Sequence, residues 1–166
     1  MDVIRRILPN EWREYRDLRL SALADSPDSF SSALEREMLY PDSEWESRVA
    51  ACSESAVQAV FVAKRDGVWL GMVGIGPEPE VATESRLWGM WVAPEVRGSA
   101  FAGELIAAAT EFARESGSVG IRLCVLTTNE RAVRLYQRHE FATLATAPFP
   151  DEQRPGTDYL MRRPLL

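Results

Sequence analysis

Apolar positions recur along this chain at two periods, and the change of period divides it near residue 56. Before that point, helical spacing dominates. Val3–Leu8 is a short apolar run with Arg5 and Arg6 inside it, and it reads as a first strand. Pro9 and Asn10 break the run, and Asn10 is a candidate cap for the first helix. Over Glu11–Leu23, Trp12, Tyr15, Leu18, Leu20 and Leu23 fall near helical spacing. Asp25–Phe30 reads as a turn-rich connector. Ser31–Tyr40 predicts a second, shorter helix stopped by Pro41. Ser43 is placed to cap a third helical piece through Ala51, with Glu46 completing a capping box.

After Ala56 the pattern alternates. Val57–Lys64 and Val68–Ile75 read as two strands joined by a hairpin turn at Arg65, Asp66 and Gly67. Gly76–Pro79 breaks the second of them. Ser85–Val92 predicts the next strand, which ends before Pro94. Over Ala102–Glu115, the residues Leu105, Ile106, Ala109, Phe112 and Ala113 share one helical face, and Gly117 supplies a stop. Ile121–Leu126 is β-rich, Asn129 caps a helix to about Arg138, and Phe141–Ala147 is a strand. A loop over Pro148–Gly156 leads to a last strand near Tyr159–Arg162. The order predicts an α+β or mixed-sheet α/β layer fold. The Ser85–Leu126 unit predicts a right-handed parallel crossover with its ligand at the carboxyl ends of the strands.

Composition narrows the classes. The 166 residues suit one domain over 1–166, and 46% hydrophobic with 27% charged residues is ordinary for a soluble globular protein. No apolar stretch approaches membrane-spanning length, and the N-terminal segment lacks the apolar run of a secretory signal, so the expectation is a cytoplasmic protein with no membrane role. A net charge of −6 disfavours a broad basic face for nucleic acid and leans toward a cationic partner, with plain solubility as the simpler account. Cys52 and Cys124 read as two buried small hydrophobes. With His139 as the single histidine, no metal site is expected.

The chemistry concentrates after Val92. A strand ends, Arg97, Gly98 and Ser99 form a tight stretch, and a helix begins. The unpaired N–H groups from Gly98 to Ala102 and the helix dipole make an anion cradle, to which Arg97 adds charge. The run Val92-Ala93-Pro94-Glu95-Val96-Arg97-Gly98-Ser99-Ala100-Phe101-Ala102 resembles the acetyl-CoA signature of the GNAT superfamily of N-acetyltransferases, Gln/Arg-x-x-Gly-x-Gly/Ala. The run Asn129-Glu130-Arg131-Ala132-Val133-Arg134-Leu135-Tyr136-Gln137-Arg138-His139-Glu140-Phe141 resembles that family's Asn-x-x-Ala-x-x-Leu-Tyr-x-x-x-Gly-Phe segment. Ala100 stands where the signature has its first glycine, and Glu140 where the second segment has glycine. Glycine is replaceable at Ala100 only if the backbone there has ordinary torsions.

The resemblance implies a mixed, mostly antiparallel sheet of six to seven strands flanked by helices, with a splayed parallel pair that binds acyl-CoA. It implies acetyl-CoA as co-substrate and direct attack by an amine in a ternary complex. Arg97, Gly98, Ser99, Ala100, Phe101 and Ala102 would hold the pyrophosphate. Met90, Trp91 and Val92 would lie along the pantetheine arm, with a backbone N–H as oxyanion hole. Asn129 would contact the CoA arm, cap its helix, or do both. Tyr136 would be the general acid, because a phenol holds its proton at neutral pH and can pass it to a leaving thiolate.

The base is less marked: Arg86 occupies the place where many relatives of this kind carry glutamate. Glu84, on the same strand face, is the candidate. Trp91, Phe30, Tyr40 and Trp45 either pack the core or wall the acceptor site, and Asp151 and Glu152 could meet a cationic acceptor. The acceptor is a small-molecule or peptide amine, and a homodimer stays open. Two other readings stay open: a non-catalytic acyl-CoA-binding module on the same fold, and transfer from a different acyl donor.

Overall fold

A computed structural model describes residues 1–148 and 156–165. Its elements are β1 (Asp2–Arg6), α1 (Trp12–Asp25), α2 (Leu34–Met38), α3 (Asp42–Glu54), β2 (Ala59–Arg65), β3 (Val68–Pro77), β4 (Ser85–Val92), α4 (Phe101–Glu115), β5 (Gly120–Leu126), α5 (Glu130–Arg138), β6 (Ala142–Pro148) and β7 (Thr157–Pro164). One seven-stranded sheet runs in the order β1-β2-β3-β4-β5-β7-β6. Every neighbouring pair is antiparallel except β4 and β5. This is the mixed α/β architecture anticipated from the order of elements.

The predicted elements are present, with shifted ends. Asn10 does not cap α1. Glu11 takes the cap position instead, accepting from the Leu8 N–H and from Arg5. Pro41 rather than Ser43 precedes α3, so the Ser43–Glu46 box is not used, and the second helix is one short piece. Asn129 does cap α5, its side-chain oxygen accepting from the Ala132 N–H.

β3 is buried from Leu70 to Gly76 without alternation, which requires cover on both faces of the sheet. The cover is α4, which packs on β1 to β4, and the pair α1 and α3, which packs on β2 and β3. Leu105, Ile106, Ala109 and Ala113 of α4 are fully enclosed, as are Ala22, Leu23, Trp45 and Val49 of α1 and α3. Cys52 is buried as expected, but Cys124 is exposed, with its sulfur 3.5 Å from an Arg86 nitrogen.

Two features of β4 prepare the site. It pairs with β5 only at Ser85↔Ile121 and Arg86↔Arg122, so beyond Arg86 the parallel strands part and leave an unpaired edge. Opposite β3, its register slips between Trp88 and Trp91, where Gly89 takes φ +61. A bulge with a left-handed residue is a position suited to glycine.

Candidate active site

The parted strands open a cavity of about 610 Å³ between β4, the start of α4 and α5. Met90, Trp91 and Val92 line one side, and Arg97, Gly98, Ser99, Ala100 and Ala102 the floor. Asn129 and Tyr136 lie on the α5 side. Two sequence segments some thirty residues apart thus meet across one space. Phe101 is the exception among the expected contacts: it is 1% exposed and anchors α4 in the core.

The floor is built for an anion. Gly98 has φ +84, a left-handed turn that glycine adopts freely. Ala100 has φ −71 and ψ −10, ordinary helical torsions, so its methyl group imposes no strain where glycine was anticipated. The Ser99 amide bonds to the Val96 carbonyl, and the Phe101 amide to the Ser99 hydroxyl. The amides of Gly98, Ala100, Ala102 and Gly103 have no acceptor among the described residues. Four such donors at one helix start are a ready anion site.

Arg97 lines this floor, but most of its guanidinium is already engaged. Its Nε donates to the Val92 carbonyl at 3.0 Å, and its Nη2 to Asp25 at 2.5 Å. Asp25 also accepts from the Trp91 indole at 3.0 Å. Hydrogen bonds from Ser26, Arg97 and Trp91 hold the Asp25 carboxyl down at about 2. The arginine therefore ties the end of α1 to the end of β4 as well as adding positive charge.

Tyr136 is 7% exposed and stacks edge-on against Phe141, with ring centroids 5.8 Å apart. Burial pushes its phenol well above the ordinary tyrosine range, and no hydrogen bond from the described residues offsets this. A neutral O–H therefore faces the cavity with its proton uncommitted.

Glu84 is not brought there. Its buried carboxylate accepts from Arg122 at 2.5 Å and Arg162 at 2.6 Å, which keeps its pKa low despite burial. A base role does not fit this placement: both oxygens are committed across the closed end of the splay. Phe30 and Trp45 are core residues, and Tyr40 stacks on Trp45. Asp151 and Glu152 lie outside the described residues.

Several cavity residues carried no signal of their own. Ser26 and Ser29 follow α1, and Arg131, Arg138 and His139 sit on α5 or at its end. His139 packs against Gly103, where an added Cβ would come within 3.2 Å of its ring. Burial and the nearby Arg163 and Arg138 lower its pKa.

Known proteins carry the same arrangement of elements. Residues 12–141 match the acetyltransferase (GNAT) family. An acetyltransferase of the GNAT family from Streptococcus pneumoniae superposes with a TM-score of 0.87 at 22% identity, covering 100% of both chains. The yncA protein of Salmonella typhimurium, solved with its cofactor acetyl-CoA, gives 0.81 at 15% identity, covering 100% of this chain and 95% of that one. The PaiA N-acetyltransferase of Thermoplasma acidophilum, in complex with coenzyme A, gives 0.77 at 15%, covering 99% of each. No curated protein sequence matches the chain significantly.

Proposed function

This chain belongs to the GNAT family of acetyltransferases, and on that premise we propose that it moves the acetyl group of acetyl-CoA to an amine by direct attack in a ternary complex. The observation that carries the reading is the meeting of unpaired amides, a free β4 edge and the unpartnered Tyr136 hydroxyl in one cavity.

Acetyl-CoA supplies an activated thioester. The residues present fit it. The amides of Gly98, Ala100, Ala102 and Gly103 suit a pyrophosphate, and Arg97 and Arg131 add positive charge nearby. The unpaired edge of β4 at Met90–Val92 suits the amides of the pantetheine arm, and Asn129 stands across from it. A backbone N–H of that edge is the donor for oxyanion charge. Tyr136 holds a proton for the departing sulfur. Burial disfavours both a thiolate and the phenolate that donation leaves, so as the sulfur takes the Tyr136 proton, the proton shed by the attacking amine returns to the phenol through solvent.

Glu84 has no part in this scheme. The amine enters deprotonated or gives its proton to solvent, and turnover rises with pH as the free amine accumulates. The enzyme works as a cytoplasmic domain over 1–166, with the homodimer left to measurement.

The test is release of free CoA thiol with acetyl-CoA over an amine library, repeated with longer acyl-CoA donors. Transfer from acetyl-CoA to amines supports the reading. Tight CoA binding without transfer to any amine favours a binding module, and preference for another donor reassigns the acyl group.

A further inference from the structure

The fold has a second cavity of about 370 Å³, walled by Tyr15 and Arg19 of α1, Arg48 and Cys52 of α3, Val60 of β2 and Trp88 of β4. We propose that this cavity is the acceptor site and that it takes a small amine bearing a carboxylate, as in an α-amino acid. The inference rests on the transferase reading and deepens it.

Position comes first. Trp88 lines this cavity and Met90 lines the acyl-CoA cavity, and only Gly89 separates them along β4. That residue is the left-handed bulge, and the space above it is taken by Arg19, whose Nη1 lies 3.2 Å from where a Cβ would stand. A molecule seated against Arg19 and Trp88 therefore reaches the part of β4 where the other cavity begins.

Charge decides the class. Among the described residues, the charged side chains lining this cavity are the two arginines, and the carboxylates that hold them, Glu37 and Glu44, are not part of the lining. Glu37, 1% exposed, holds Arg19 through Nε at 3.0 Å and Nη2 at 3.1 Å, leaving Nη1 without a partner among the described residues. Phe30 supports the same guanidinium from one face at 4.7 Å. Arg48 is held by Glu44 through Nε at 2.8 Å and lies over Tyr40. Two guanidiniums, each fixed by a glutamate that does not line the cavity, suit a carboxylate, which accepts from them with charge assistance. Trp88, lying over Gly74, and Ile7 and Val60 give an apolar wall for the rest of the molecule. The volume is at the small end for ligand cavities, which suits a single amino-acid-sized molecule. The overall charge of −6 points the other way, toward a cation. At contact distance the local guanidiniums outweigh surface charge that is screened beyond about 8 Å.

The test is a panel of L-amino acids, each paired with its own amide, together with diamines, at saturating acetyl-CoA. The amide's amine is the less basic and so more fully deprotonated, and any preference for the acid must come from the site. The acids are expected to exceed their amides by about tenfold or more in kcat/KM, as one charge-assisted hydrogen bond supplies. Arg48→Gln should raise KM for the acid by about tenfold and leave KM for the amide and for acetyl-CoA unchanged, with Arg48→Lys recovering part of the loss. Equal use of acid and amide, or a preference for diamines, overturns the inference and leaves the transferase reading standing. Calorimetry with CoA present separates the two: amino acid bound but never acetylated keeps the site and overturns the transferase reading. Absence of both binding and turnover for every acid in the panel overturns the inference.

Discussion

At the scale of the residue, Tyr136 is the proposed proton donor, and its surroundings set its behaviour. Tyr136→Phe keeps the stacking on Phe141 and removes only the hydroxyl. The expected outcome is a fall in kcat on the order of 10²-fold with acetyl-CoA affinity retained, read by thiol release and calorimetry. Because burial raises the phenol, activity in the native enzyme should climb as the amine deprotonates and show no fall through about pH 10. An alkaline fall centred near pH 9 would take the donor role from Tyr136. That Gly98, Asn129 and Tyr136 line one cavity was foreshadowed by two motifs, each read along its own segment. Glu84 was misread for the opposite reason. Its neighbours Arg122 and Arg162 lie 38 and 78 positions away, on strands whose pairing no local pattern specifies.

At the scale of the element, β4 is zipped to β5 only at its start, and Glu84 clamps that end by joining β4 to β5 and β7. Glu84→Gln leaves two arginines without their shared counter-charge. Because those guanidiniums are about a quarter exposed, the cost should be about 2 kcal/mol, below that of a fully buried pair. Urea unfolding measures it. Turnover per folded molecule should be unchanged, and a collapse of kcat in a fully folded variant would restore the base role.

Asp25 is the corresponding tie between α1 and the phosphate floor. Its folded pKa lies below the unfolded one, so its contribution is complete above about pH 4 and is lost as pH falls through about 2. Asp25→Asn should cost about 1 kcal/mol at neutral pH, weaken acetyl-CoA several-fold, and converge on the native protein as pH falls below about 2. The helices and strands themselves were largely readable from period. Their ends were not: Glu11 and Pro41 displaced Asn10 and Ser43 at the caps because Arg5 and the Leu8 amide competed for Glu11, and proline favours the extended torsions a helix needs just before it starts.

At the scale of the molecule, the two cavities lie on either side of one bulge in one strand, and a ligand in the first should stabilise the whole sheet. Acetyl-CoA at a hundred times its Kd should add about 2.7 kcal/mol to unfolding, seen as a concentration-dependent rise in Tm. No rise at saturating acetyl-CoA would remove the proposed co-substrate. The sequence by itself determined the elements, the mixed sheet, and the two segments that face each other across one cavity. Those depend on periodicity and on residues close together in the chain. Tertiary structure alone decided that Glu84 is a clamp, that Arg97 binds Asp25, that Cys124 faces solvent, and that Arg19 and Arg48 share a cavity with Trp88. The reason is physical: a charged side chain takes its role from the partner that compensates it, and here those partners come from distant strands and helices.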